Sequence, residues 1–166
     1  MELRIRPATP QDYALLPEIE TAADAVLNMP GLPTASSVQD YREAIMVLVA
    51  EESGKICGFA RLDEVDDQSH LEQLSVPPEH GRRGIGRSLV SAAQHWAQQQ
   101  GYRTMTLCTF SEVPFNAPFY ARCGFVAEIP QSPGLIALRA REAALGLDAL
   151  GARVVMRCAV IDRGER

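Results

Sequence analysis

Strand and helix signals alternate along the whole chain, and no interdomain linker interrupts the series. Short runs of alternating or continuous apolar residues indicate strands, whereas apolar residues spaced by three and four indicate helices. The 166 residues suit one domain in which about 70 % of the surface of the unfolded chain is buried. The pattern therefore predicts a single mixed α/β domain over residues 1–166.

Local sequence signals place the individual elements. The predicted strands are Leu3–Arg6, Met46–Ala50, Lys55–Leu62, Leu71–Val76, Thr104–Phe110, Phe125–Ile129 and Arg153–Val160. The predicted helices begin at Thr9-Pro10-Gln11-Asp12 and Ile85 or cover Tyr41–Ile45, Asn116–Arg122 and Leu135–Gly146. Ser53-Gly54 is expected to join the second and third strands as an antiparallel hairpin, and the acidic stretch DEVDDQSH is expected to turn the chain into the fourth strand.

The helix that begins at Ile85 is the most strongly amphipathic segment. Ile85, Leu89, Ala92 and Trp96 follow one another at spacings of four, three and four, which places them on one face. Gly101 is expected to end this helix as a C-terminal cap.

Composition and charge exclude several classes of function. A net charge of −5 disfavours a nucleic-acid partner, because such a partner requires a basic face. The four cysteines form no CxxC pair and the three histidines no HxxxH pair, so we expect free thiols, a cytoplasmic protein and no metal site. No apolar run reaches the roughly 18–20 residues of a membrane-spanning helix, and no membrane partner is expected.

The segment His80–Val90, HGRRGIGRSLV, concentrates glycines and arginines between the fourth strand and the following helix. The first N–H groups of a helix have no intrahelical partners, and the helix dipole places partial positive charge there. The glycines allow the backbone to approach an anion closely. Arg82, Arg83 and Arg87 can add charge-assisted hydrogen bonds to phosphate oxygens. The segment is therefore predicted to bind more than one phosphate group.

Two common phosphate-binding loops do not fit this segment. A Walker loop requires a lysine after its last glycine, but Arg87 follows Gly86. A dinucleotide fold has GxGxxG after its first strand, whereas the glycines here follow the fourth strand in the order GxxGxG.

The segment resembles the acyl-CoA signature of the GNAT N-acetyltransferase superfamily, [RQ]xxGx[GA] after the fourth strand. RRGIG supplies Gly84 and Gly86, whereas Gly81 stands where the signature has Gln or Arg. The resemblance implies a GNAT-like α/β domain, with a central, mixed and mostly antiparallel sheet of about seven strands flanked by helices. It also implies acetyl-CoA as co-substrate, with the backbone of the loop on the pyrophosphate and the fourth strand along the pantetheine arm. The residues so implied are Leu74, Ser75, Val76, Arg82, Arg83, Gly84, Ile85, Gly86 and Arg87.

A second stretch, NAPFYARCGF over Asn116–Phe125, resembles another signature of the same family. In that signature a Tyr, here Tyr120, is followed four residues later by Gly-Phe. The commonest pattern has an Asn seven residues before the Tyr, a position that Val113 occupies here. Asn116 is accordingly either a contact to CoA or the N-cap residue of its short helix.

Acetyl transfer to an amine requires three chemical groups. A general base must deprotonate the amine, because an alkylammonium titrates near pH ~10 and has no free lone pair. Glu72 is the first candidate and His70 the second, acting directly or through water, and their spacing of two puts them on one face of the strand. The backbone near Val76 is a candidate to stabilise the oxyanion. Tyr120, protonated at neutral pH, is a candidate proton donor to the CoA thiolate. The alternatives are an ion-paired strand carboxylate for Glu72 and a core tyrosine for Tyr120.

The implied function is transfer of acetyl from acetyl-CoA to a primary amine by direct attack in a ternary complex. We expect a small-molecule acceptor near the loop Met29–Ser37 and the first two helices, and no role in recognition for the acidic residues Asp63, Glu64, Asp66 and Asp67. A protein N-terminus or lysine as acceptor, a non-catalytic acyl-CoA sensor and a nucleotide-binding module are the alternatives. A homodimer stays open.

Overall fold

The computed structural model describes residues 2–160. The contacts between Cα atoms group the chain into two compact units. The first unit contains the chain up to Met29, Thr34–Asp63 and Leu71–Ala93. The second contains Pro30–Pro33, Glu64–His70 and the described residues from Gln94 to Val160. One domain over residues 1–166 therefore stays a prediction.

Seven strands form one open, mixed sheet. Their bounds are β1 Leu3–Pro7, β2 Met46–Glu52, β3 Lys55–Val65, β4 Gln68–Ser75, β5 Thr104–Phe110, β6 Val126–Glu128 and β7 Arg153–Ala159. Their order in the sheet is β1-β2-β3-β4-β5-β7-β6. Strands β4 and β5 run parallel, and the pairs β1–β2, β2–β3, β5–β7 and β6–β7 are antiparallel. The predicted mixed, mostly antiparallel sheet of about seven strands is confirmed.

The turn before β4 is shorter than the sequence predicts. Because β3 extends to Val65 and β4 begins at Gln68, only Asp66 and Asp67 of the acidic stretch form the turn. Both residues have left-handed backbones, with φ of +53° and +62°. Two-residue turns between strands favour this conformation, which Asp tolerates better than most residues.

The N-terminal helical region is divided by a proline. Helix α1 covers Pro10–Tyr13, helix α2 Leu16–Asp24 and helix α3 Val38–Glu43. Pro17 lies in the first turn of α2, where its missing N–H is tolerated, whereas inside one continuous helix it would remove a hydrogen bond. Helix α1 begins at Thr9-Pro10-Gln11-Asp12, as the sequence predicts, and the structure adds that Thr9 and Asp12 form a capping box there, as Ser37 and Asp40 do in α3.

Helix α4, Ile85–Gln99, buries a face turned by one position from the predicted one. Ile85 and Leu89 are buried as expected, but Ala93 and Ala97 continue the buried row in place of Ala92 and Trp96. The prediction was wrong there because the large Trp96 ring stays half-buried and packs on the Tyr102 ring, at 6.2 Å between centroids.

Three helices follow α4: α5 Ala117–Arg122, α6 Pro133–Ala144 and α7 Leu147–Leu150. The carboxylate of Asp66 accepts hydrogen bonds from the Gly134 amide, at 3.0 Å, and the Leu135 amide, at 3.3 Å, at the start of α6. This contact gives part of the acidic stretch a structural role as a helix cap. Helix α7 is additional to the prediction, and it begins after Gly146, whose φ is +89°.

Each unit has its own buried apolar cluster. In the first unit, Leu16, Val47 and Val49 surround the edge-to-face pair of Tyr41 and Phe59, whose ring centroids lie 5.4 Å apart. In the second unit, the buried side chains of the paired strands β5 and β7 include Met105, Leu107, Val155 and Met156.

Candidate functional site

The glycine- and arginine-rich loop connects β4 to α4 in the first unit. After Pro77, a short 3₁₀ turn over Pro78–His80 leads to a stretch of left-handed backbone. Arg82 has φ +59° and Gly84 φ +79°. Glycine adopts such angles freely, but an arginine there is strained. Arg82 is thus an arginine that the loop holds in a left-handed backbone conformation, next to Gly81 at the signature position for Gln or Arg.

The first turn of α4 is open to an anion. The Ser88 amide donates to the Gly84 carbonyl at 3.0 Å, so Gly84 occupies the N-cap position and offers no side chain to cap the helix. Helices α1, α2 and α3 each carry an acidic residue in the first turn, whereas α4 carries none and has Arg87 instead. The amides of Ile85, Gly86 and Arg87 and the helix dipole therefore favour an anionic ligand.

The three arginines of the loop differ in their surroundings. Arg82 and Arg87 are exposed, and among residues 2–160 neither forms a salt bridge. Arg83 donates through Nη2 to both carboxylate oxygens of Glu52, at 2.8 and 2.7 Å. This hydrogen bond raises the pKa of Arg83 and lowers that of Glu52.

The end of β4 is packed closely against β3. A Cβ atom on Gly58 would lie 3.0 Å from the Ser75 carbonyl oxygen and 3.1 Å from Val76 Cγ2, so any larger residue there would have to displace these neighbours by a few tenths of an ångström. Ser75 is buried and its hydroxyl accepts a hydrogen bond from Gln73 Nε2 at 2.9 Å, while Leu74 and Val76 are half-buried. Glu72 is exposed.

Sequence reasoning did not single out a pair of carboxylates on α2. Glu20 is buried and accepts hydrogen bonds from the Ser36 amide and from the Tyr41 hydroxyl, the latter at 3.0 Å. Asp24 lies one turn further along, and burial, together with the charge of Glu20, raises its pKa to about 6, against a lowering by the Gln73 side chain. The available signal in the sequence was the spacing of four between Glu20 and Asp24, which places two residues of one helix next to each other.

His70 belongs to the second unit, where it is buried on β4. Its Nδ1 lies 2.8 Å from the hydroxyl of Thr106, the residue opposite it on β5. His70 and Glu72 have the spacing of one strand face, but the first side chain is buried and the second exposed. Whether each side chain is buried depends on which other parts of the chain cover that end of the strand. The alternation of residues in the sequence does not show this.

Tyr120 lies in the second unit on α5 and is 8 % exposed. Its ring packs edge-to-face on Phe119 and Phe125, with centroid distances of 5.1 and 5.9 Å. Burial raises the pKa of the hydroxyl well above its ordinary value, the neighbouring Cys123 adds to the rise and Arg153 opposes it. The phenol therefore stays protonated at neutral pH.

Asn116 stands at the N-cap position of α5 but does not cap the helix with its side chain. Instead, its Oδ1 accepts a hydrogen bond from the Thr109 hydroxyl at 3.0 Å. The Nδ2 atom is buried and has no hydrogen-bond partner within the described part of the chain. A buried, unsatisfied donor of this kind costs free energy unless a ligand accepts its hydrogen bond.

The candidate residues thus form two groups. The first unit contains Glu72, Leu74, Ser75, Val76 and the loop from Arg82 to Arg87. The second unit contains His70, Asn116 and Tyr120. Among residues 2–160, no set of three His, Cys, Asp or Glu side chains is arranged to hold a metal ion. No described helix has the length and apolar character needed to cross a membrane.

Comparison with known proteins decides between the phosphate-binding families. The model of the acetyltransferase (GNAT) family matches residues 16–125, which include the loop, α4 and Tyr120. The chain belongs to the acetyltransferase (GNAT) family. The resemblance that the sequence motifs indicate is therefore confirmed.

Individual GNAT relatives differ in how much of the chain they match. Over 67 residues the chain is 39 % identical to N-acetyltransferase family 8 member 3 of Rattus norvegicus, a match that covers 37 % of this chain and 29 % of the relative. The ribosomal-protein-S18-alanine N-acetyltransferase of Escherichia coli has the same fold, with a TM-score of 0.72, 18 % identity and coverage of 99 % of this chain and 98 % of that one. The PaiA N-acetyltransferase of Thermoplasma acidophilum, solved in complex with coenzyme A, also has this fold, with a TM-score of 0.71 and 17 % identity. The match covers 96 % of this chain and 99 % of that one.

Proposed function

We propose that this GNAT protein moves the acetyl group of acetyl-CoA to a primary amine. The observation that carries the proposal is the first turn of α4. Gly84 at its N-cap position has no side chain to cap the helix, and the turn contains Arg87 but no acidic residue. Such a turn is suited to bind phosphate oxygens. Membership in the acetyltransferase family supports CoA as the molecule that carries these phosphates.

CoA is proposed to bind along β4 and the loop. The amides from Arg82 to Arg87 hold the pyrophosphate, and the backbone of Leu74, Ser75 and Val76 hydrogen-bonds the pantetheine arm. Asn116 is proposed to donate its Nδ2 hydrogens to CoA, which would satisfy a buried donor that has no partner among residues 2–160.

The proposed chemistry is direct attack. Glu72, directly or through water, removes a proton from the ammonium group, with His70 as the second candidate for this role. The amine nitrogen then bonds to the thioester carbonyl carbon, and amides near Val76 stabilise the oxyanion. As the carbon–sulfur bond breaks, the Tyr120 hydroxyl donates its proton to the CoA thiolate. Burial keeps the Tyr120 phenol protonated at neutral pH, which is the state that a proton donor requires.

A small-molecule amine is the proposed acceptor, and a cytoplasmic location is proposed because the four cysteines are free thiols. A protein N-terminus is the second candidate. The E. coli protein of the same fold, named for acting on an alanine of ribosomal protein S18, favours testing it. A homodimer stays a prediction.

The test is release of free CoA thiol from acetyl-CoA in the presence of single amines. The panel contains polyamines, amino acids, aminoglycosides, arylalkylamines and a peptide with an N-terminal alanine. We expect amine-dependent thiol release with at least one small amine and none with Gly86→Val, whose β-branched side chain blocks approach to the loop. The Val variant should keep the circular dichroism spectrum of the parent. Calorimetry that detects no acetyl-CoA binding to the parent would contradict the proposal.

A further inference from the structure

Glu52 and Arg83 form an ion pair between the β2–β3 hairpin and the loop before α4. Glu52 is the last residue of β2, and Arg83 lies between the two left-handed residues Arg82 and Gly84. The side chain of Arg83 is 48 % exposed and that of Glu52 is 19 % exposed. Among the three arginines of the loop, Arg83 is the one that the described part of the chain holds by an ion pair.

The geometry of this pair leaves most of the guanidinium free. Both contacts to Glu52 come from Nη2, at 2.8 and 2.7 Å, and no hydrogen-bond partner of Nε or Nη1 occurs among residues 2–160. A guanidinium has five N–H donors in a rigid, planar fork. One carboxylate can therefore fix the orientation of the fork while the remaining donors stay available to a second anion.

Fixing the side chain matters because arginine loses much rotamer freedom when it binds a ligand. The backbone of Arg83 is already constrained by its left-handed neighbours, and Glu52 constrains the far end of its side chain. A side chain that is ordered before binding loses less entropy when a phosphate arrives.

We propose that Glu52 is a positioning residue for acetyl-CoA: it holds Nη2 of Arg83 so that the donors left on Nε and Nη1 are oriented toward phosphate oxygens of the bound co-substrate. This inference rests on the proposed function, since it takes the loop to bind the phosphates of CoA. It assigns a binding role to a hairpin residue outside both family signatures.

The experiment measures acetyl-CoA binding to Glu52→Ala, Glu52→Gln and Arg83→Ala, alone and combined, by calorimetry. Glu52→Ala should raise Kd about 3- to 10-fold, within the range of a typical net hydrogen bond, because Glu52 acts on the ligand only through Arg83, and raise KM for acetyl-CoA by a similar factor with little change in kcat. Glu52→Gln should recover part of the affinity, since its amide oxygen still accepts from Nη2. In the Arg83→Ala background, Glu52→Ala should have no further effect, because the residue acts through Arg83.

Glu51→Gln is the matched control, since it makes the same change in charge one residue away, at a carboxylate that pairs with Arg6. Its Kd should stay within twofold of the parent. The inference would be overturned if Glu52→Ala bound acetyl-CoA as tightly as the parent or more tightly. It would also be overturned if Glu52→Ala raised Kd by the same factor in the Arg83→Ala background as in the parent. A parent protein that fails to bind acetyl-CoA would instead contradict the proposed function itself.

Discussion

Burial determines which chemistry the Tyr120 hydroxyl can perform. With its ring between Phe119 and Phe125, the phenol is removed from water, and its ionised form is strongly disfavoured. Such a group is protonated at neutral pH and cannot serve as a base, but its O–H can be donated to the negative charge that develops on a departing thiolate. The environment of Tyr120 thus provides the protonation state that the proposed role needs, and the assignment of that role rests on its place in the second family signature.

Tyr120→Phe tests this role with a minimal change. Because the ring is kept, packing and acetyl-CoA affinity should change little, whereas kcat should fall about 10²-fold, the lower end of the range for a general acid, since a thiolate is a fair leaving group. Steady-state kinetics and calorimetry measure the two quantities. Tyr102→Phe, which removes a hydroxyl bonded to Glu64 at 2.9 Å, is the control and should keep the parental kcat. Full activity of Tyr120→Phe would return Tyr120 to a purely structural role.

Site residues could be predicted from the sequence where the signal lies in neighbouring residues of the chain. The loop and Tyr120 could be chosen as candidate site residues because the glycine and arginine positions, and the Tyr–Gly-Phe spacing, are local patterns. The burial of His70 against Thr106, which is 36 residues away in the chain, and the raised pKa of Asp24 depend on tertiary packing. The ion pair of Arg83 with Glu52 likewise joins residues 31 apart.

At the element scale, charged side chains fix where helices begin. Asp12 closes the capping box of α1 and also binds Arg6 of β1 through two nitrogens, at 2.6 and 3.2 Å. The hydrogen bond from Arg6, then those from the Thr9 amide and hydroxyl, lower the pKa of Asp12 to about 2 against the opposing effect of burial. The carboxylate is thus stabilised in its ionised form, and it links the first strand to the first helix.

The depressed pKa of Asp12 predicts a dependence of stability on pH. Its contribution is fully present above the ordinary value of 3.8 and is lost as the pH falls from there toward about 2. Asp12→Asn should lower the free energy of unfolding by about 1–2 kcal/mol at pH 7, and the difference from the parent should shrink below pH 4. Urea unfolding at several pH values measures it. Glu18→Gln, which removes an exposed carboxylate in α2, should have little effect, and a constant difference from pH 7 to pH 2 would contradict the prediction.

Element boundaries were less predictable than element types. The Thr9 cap and Gly101 at the end of α4 are local signals, and both predictions were confirmed. The break before α2 depends on Pro17, and the strand residues Glu64 and Val65 are hidden within an acidic run. The buried face of α4 was predicted one position away, because the large apolar Trp96 favoured the face that contains it, whereas the smaller Ala93 and Ala97 are the residues that are buried.

At the scale of the whole molecule, the order of strands separates interior from edge. Strand β7 lies between β5 and β6 and pairs with both, whereas β6 forms an edge of the sheet. Met156 of β7 is buried, and Val126 of β6 is 70 % exposed. The number of strands and the mixed α/β class were predictable from local patterns, but this order was not, since it depends on pairing between distant segments.

The strand order predicts unequal effects of truncating these two side chains. Met156→Ala should lower the free energy of unfolding by about 2–5 kcal/mol, the range for a large buried side chain. Val126→Ala should change it by no more than about 0.5 kcal/mol, as at other exposed positions. Chemical denaturation measures both, and similar losses in the two variants would contradict the assignment of β7 to the interior.

The place of β7 has a consequence for synthesis on the ribosome. Strands β5 and β6 emerge before β7. Within the described part of the chain, however, β6 pairs with β7 alone, and the paired residues are Val126–Arg157, Ala127–Met156 and Glu128–Val155. Until residues 153–159 have left the exit tunnel, the nascent chain carries two strands that lack their common neighbour, and β5 presents an unsatisfied edge. This interval exposes the chain to pairing with other molecules, so a chaperone that covers the open edge of β5 would protect the nascent chain during it.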